Sequence, residues 1–117
     1  MSAGTYALLD VLVPFGFSAI GVWAHRAGGA RALGALTIAT IALLETLAYR
    51  DWQRQPATGT PLAAYVLLAS LPILAAAWTI RWASRREMPT LAQWLAAGTA
   101  GWAAIFPALL IGGYLLR

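Results

Sequence analysis

Cysteine and lysine are both absent from this 117-residue chain, histidine occurs once, and there are only four acidic residues. Without cysteine there are no disulfides, thiolate metal sites, iron–sulfur clusters or cysteine nucleophiles. A single histidine, His25, rules out a bis-histidine haem or a His-rich metal cluster within one chain, because such sites need several convergent ligands. No cofactor and no metal site is therefore expected within the chain. Charge is scarce too: 10% of residues are charged and 61% hydrophobic, whereas soluble domains run near ~25% and ~45–50%. So few charges cannot cover a water-facing surface. The composition implies an integral membrane protein, all-α, folded as a single membrane domain over residues 1–117. Motifs for common chemistry are missing as well: Gly-x-Ser-x-Gly, Walker A and His-Glu-x-x-His do not occur.

What is present is a series of long apolar runs. The spans expected are 5–24, 31–49, 61–81 and 91–116, each near or above the ~20 residues that cross a bilayer core of ~30 Å. They predict a four-helix bundle made of two transmembrane hairpins in up-down order. His25-Arg-Ala-Gly-Gly-Ala30 reads as a short polar connection with a glycine turn. Arg50 to Thr60 reads as the middle loop, Pro61 suits a helix start, and Thr90 is a candidate N-cap. Met1-Ser-Ala-Gly-Thr carries no positive n-region, so the first span is expected to be retained rather than cleaved.

All eight basic residues are arginine and the net charge is +4. No basic run is interleaved with exposed aromatics, so nucleic acid is not an expected partner. The arginines instead report topology and anionic headgroups. Arg26, Arg31, Arg81, Arg85 and Arg86 flank the first and third connections; Arg50, Arg54 and Arg117 lie at the other end. By the positive-inside tendency this places both termini on the non-cytoplasmic side of a membrane, taken as a bacterial inner membrane. Arg26, Arg81, Arg85 and Arg86 become candidate headgroup contacts. The aromatics layer in the same way, with Tyr6, Tyr49, Tyr65 and Tyr114 toward one end and Trp23, Trp78, Trp82 and Trp94 toward the other.

Asp10 and Glu45 are the acids inside the expected spans, at similar depth on neighbouring helices. Tyr6, Asp10, Pro14, Ser18, Gly21 and His25 share one helix face. Pro14, Pro72 and Pro107 each remove a backbone bond, freeing the carbonyls of Asp10, Leu68 and Ala103. Together with Tyr6 and Tyr49 the acids outline a candidate polar site for a proton or ligand, and the prolines a kinked cavity around it. The same residues have an ordinary structural account: the acids reach headgroups or Arg50 and Arg54, and proline is frequent in membrane helices. Gly98-Thr-Ala-Gly101 offers a surface for close helix approach.

At an offset of 59, Tyr6, Trp23 and Arg26 coincide with Tyr65, Trp82 and Arg85, which suggests an internal duplication; position 69, the counterpart of Asp10, is alanine. In size and span count alone the chain resembles the small multidrug resistance transporters, which also use an acid in their first helix. No further motif of that family is present, and the positions around Asp10 do not match it. The leading functional expectation is a non-catalytic accessory subunit packing against a larger membrane complex and its lipids. The alternatives are a homodimeric proton- or cation-coupled transporter using Asp10 and Glu45, and a membrane enzyme protonating an isoprenoid or lipid. Partners expected are membrane lipids and either a larger complex or a second copy of the chain.

Overall fold

The computed structural model describes residues 3–54 and 61–115, apart from the side chains of residues 3, 5–7, 114 and 115. The regular structure among them is helical: α1 (Ala3–Gln53), α2 (Leu62–Arg85) and α3 (Thr90–Leu110), the last continued by a π turn at Ile111–Leu115. Three segments are long and apolar enough to cross a membrane: Leu8–Gln53, Leu62–Arg85 and Thr90–Gly113.

Four helices are expected from the sequence and three are found, because the expected connection between residues 25 and 30 is itself helical. Only Gly29 departs from helical dihedrals, with φ 72 and ψ −160, a region essentially reserved for glycine. That single residue redirects the chain. A straight helix of 51 residues would extend roughly 77 Å at ~1.5 Å per residue, yet the whole molecule measures 47 × 26 × 22 Å. The two arms of α1 fold against each other, and a Cβ built on Gly21 would lie 3.4 Å from Leu33 Cδ1. Gly28 belongs to the same turn, since a Cβ there would come within 2.7 Å of the Ala32 methyl.

At its other end α1 runs on to Gln53, further than expected, and Arg54 N–H donates to the Asp51 carbonyl at 3.2 Å. The rest of the expected middle loop, residues 55–60, lies outside the described residues. Pro61 precedes α2 as expected. The turn from α2 into α3 is a Schellman closure: Glu87 N–H donates to Ser84 O and Met88 N–H to Ala83 O, both at 3.1 Å, with Glu87 in the left-handed region at φ 55. Gln93 Nε2 then donates to Met88 O at 2.8 Å, tying α3 to the turn. Thr90 is not the N-cap. Pro89 holds that place and Thr90 is the first helical residue, its hydroxyl accepting from Arg26 across the helix interface instead.

The core contains Val22, Leu33, Ile73 and Ile80 among alanines from α2 and α3. In lipid, helices associate through close packing and hydrogen bonds rather than a hydrophobic drive, so small residues at crossings matter. A Cβ on Gly101 would sit 2.9 Å from Pro14 Cβ and 3.1 Å from the Pro72 carbonyl, so α1, α2 and α3 meet there. A Cβ on Gly98 would overlap the Phe15 ring. Gly112 lies against the α2 backbone, its added Cβ 2.5 Å from Ala64 Cα. Buried hydroxyls are satisfied within their own helices: Ser18 donates to Pro14 O and Thr37 to Leu33 O, both at 2.7 Å, and Thr79 to Ala75 O at 2.8 Å.

Candidate functional site

The face of α1 read from its periodicity is largely internal. Pro14, Ser18 and Gly21 are buried and His25 is half-buried, while Asp10 is exposed. Glu45 is half-buried on the second arm of α1, and no hydrogen bond or ion pair joins it to Asp10 among the described residues. Counting from Gly29 at ~1.5 Å per residue, the two acids lie roughly 28 and 24 Å from the turn, a comparable height. Tyr49 is exposed and its ring lies 5.7 Å from that of Trp52, with no hydrogen bond to Asp10 or Glu45 among the described residues. The side chain of Tyr6 lies outside the described residues.

The three prolines do not surround one cavity. Pro14 and Pro72 are buried and converge on Gly101, where the Pro14 ring and the Pro72 carbonyl fill the crossing. Pro107 is exposed on α3 and is followed by the π turn, with the Ile111 N–H shared between the Ala108 and Pro107 carbonyls.

Open space is found at the opposite, arginine-bearing end. Between the first arm of α1 and the start of α3 lies a groove of about 780 Å³ lined by Ala19, Val22, Trp23, Arg26, Thr90 and Trp94, with neighbours. Its two walls follow helical spacing: positions 19, 22, 23 and 26 form one stripe on α1, and 90, 91 and 94 the facing stripe on α3. Arg26 spans the mouth by donating to the Thr90 hydroxyl. Trp94 is fixed in place, its Nε1–H donating to the Phe15 carbonyl at 2.9 Å and its ring edge-on to Phe15 at 5.6 Å. Trp23 lines the α1 wall and is 70% exposed.

Nothing among protein families, curated proteins or solved structures matches this chain. Function rests on what these side chains can do.

The other candidate headgroup arginines gather at the same end. Arg86 stacks over Trp82 at 5.2 Å. Arg81 and Arg85 share a notch of about 120 Å³ with Trp78 and Trp82. A further groove of about 320 Å³ opens between the second arm of α1 and α2, with Trp78 and Arg81 among its lining. Every aromatic in these clefts is tryptophan and every charge is arginine, the pair enriched where hydrocarbon meets headgroup. Sequence reasoning named Arg26 but missed Thr90 and Trp94 as its companions. The available signal was the spacing, with Trp23 and Arg26 three apart, Thr90 and Trp94 four apart, and both pairs beside a helix end.

Proposed function

We propose that the chain is a single membrane domain crossing the bilayer four times, with α1 supplying two passes hinged at Gly29, and that it serves as a non-catalytic accessory subunit packed against a larger membrane complex and its lipids. Length supports the four passes. Residues 3–28 and 30–53 would each extend about 36–39 Å, enough for a hydrocarbon core of ~30 Å.

The observation that carries this reading is the polarity of the outside. Ile38, Trp23 and Trp78 are 72, 70 and 67% exposed, and Leu43, Leu91 and Phe106 also face outward, while the inside holds alanine, glycine and self-bonded hydroxyls around a few larger residues such as Leu33, Ile73 and Ile80. Such a surface belongs against lipid tails or other apolar helices. Glycine packing at the crossing of the three helices leaves little room for a path through the centre, and the clefts open sideways, which suits a scaffold better than a conduit. The arginine-rich end is the one assigned to the cytoplasmic side, with both termini opposite, as expected for an inner-membrane protein.

One observation favours the second reading, a self-associating proton- or cation-coupled carrier. Asp10 is exposed on a membrane-length helix and makes no hydrogen bond or ion pair among the described residues, and such an acid calls for a partner from another chain. Reconstitution separates the two. An accessory subunit gives no proton or cation flux in vesicles and migrates with other membrane chains after mild solubilisation. Flux from a stable homo-oligomer that Asp10→Asn or Glu45→Gln abolishes would overturn the accessory role and establish the carrier.

A further inference from the structure

We infer that the groove between α1 and α3 is a binding site for an anionic phospholipid, with the phosphate held by Arg26 and Thr90 and an acyl chain lying along Val22 and Ala19. This deepens the accessory-subunit reading by naming the lipid class, and it rests on that reading for the groove facing the bilayer.

Position supports it first. Arg26 stands three residues before Gly29, where α1 turns back, so its guanidinium lies at the level of headgroups rather than tails. From there positions 26, 22 and 19 descend one face of α1 for roughly 10 Å at ~1.5 Å per residue. The groove thus runs from a cationic mouth into an apolar slot, in the order that a phospholipid presents its parts.

Donor chemistry supports it next. Arg26 gives one N–H to the Thr90 hydroxyl, and a guanidinium has five, in a planar fork suited to phosphate oxygens. Because the Thr90 oxygen is the acceptor in that bond, its own O–H can donate outward. The two groups converge on one point without a competing carboxylate in the lining. Charge is complementary beyond the groove as well, since Arg31, Arg81, Arg85 and Arg86 share this end with Glu87 as the only nearby acid in the sequence.

The apolar part is built, not incidental. Alanine at positions 19 and 27 leaves the space, and Trp94 is locked by its bond to the Phe15 carbonyl, so the wall does not collapse inward. The volume of about 780 Å³ falls within the ~300–1,000 Å³ of ordinary ligand clefts. A neutral lipid or a partner helix could use the slot but would leave the cationic mouth unmatched.

The test uses the full chain, purified in mild detergent and placed in nanodiscs of phosphatidylcholine with or without phosphatidylglycerol. Native mass spectrometry reads the lipid retained, and tail-brominated versions of each lipid read proximity to tryptophan by quenching. Phosphatidylglycerol should be retained and quench more strongly than phosphatidylcholine. Arg26→Gln should weaken that retention by about tenfold, the loss of one charge-assisted hydrogen bond. Ala19→Phe, which fills the slot and leaves Arg26 in place, should abolish it, whereas Arg50→Gln at the other end should not change it. Equal retention of the two lipids, indifference to Ala19→Phe, displacement by inorganic phosphate alone, or a photocrosslinker at Ala27 that captures a protein helix would each overturn the assignment. The chain is assayed alone, so a missing partner complex leaves this result untouched. Vesicle flux would remove the accessory role without altering lipid retention.

Discussion

Replacing Gly101 with alanine probes the point where all three helices meet. The new methyl would lie 2.9 Å from Pro14 Cβ, 3.1 Å from the Pro72 carbonyl and 3.5 Å from Ala76 Cβ. Carbon atoms in comfortable contact stand about 3.5–4.0 Å apart. A proline ring and a main-chain carbonyl have no rotamer by which to withdraw, so the helices themselves must part by ~0.6–1 Å. Overpacking of this kind costs about 1–3 kcal/mol, offset by the ~0.5–1 kcal/mol that alanine gains over glycine within a helix. A net loss of up to roughly 2.5 kcal/mol follows from those two terms, about 1–3 kcal/mol below the alanine gain at an open site. Gly16 supplies the control, because a Cβ there meets nothing within 4 Å, and Gly16→Ala should show the helix gain alone. Reversible unfolding in mixed detergent and dodecyl sulfate micelles, followed by circular dichroism, reads both variants on one scale. A Gly101→Ala protein as stable as Gly16→Ala would mean that the helices do not cross as closely as described, and the account of the proline junction would fall with it.

Two further substitutions test the turns. Gly29→Ala places a side chain at φ 72 and ψ −160 and should cost about 1–3 kcal/mol in the same unfolding assay; an unchanged midpoint would show that the reversal of α1 does not depend on that conformation. Glu87→Gly relieves the left-handed strain at φ 55 in the closure of α2 and should raise stability, by up to ~1 kcal/mol after the added freedom of the unfolded chain is allowed for. A loss of stability there would point to a contact of the Glu87 side chain that outweighs the backbone term.

The helical class and the membrane-length apolar segments were legible from the sequence. Scarce charge and long apolar runs imply membrane helices, because they reflect solvent preference residue by residue. The face containing Pro14, Ser18 and Gly21 was legible too, since helical period alone puts them together. The small residues at Gly98 and Gly101 announced close packing, though not what they would pack against. The turn at residues 25–30 was legible in its glycines; that Gly29 alone makes it while its neighbours stay helical was not. Its polarity and paired glycines suggest a loop, yet one dihedral at Gly29 is enough to reverse a helix, and polarity does not report a dihedral.

Partners across the interface depended on the tertiary structure. Depth along the sequence put Asp10 beside Glu45, but rotation of each helix decides which faces meet, and these acids are not joined. Arg26 and Thr90, 64 positions apart, are joined. Pro14 and Pro72 came together on Gly101 instead of ringing a polar cavity. The sequence by itself determined that the chain is apolar, helical and richer in arginine beside two of its connections than elsewhere, because those properties are sums over local residues. The groove beside Arg26 was decided by packing, which selects one rotation for each helix and so chooses which tryptophan faces which arginine.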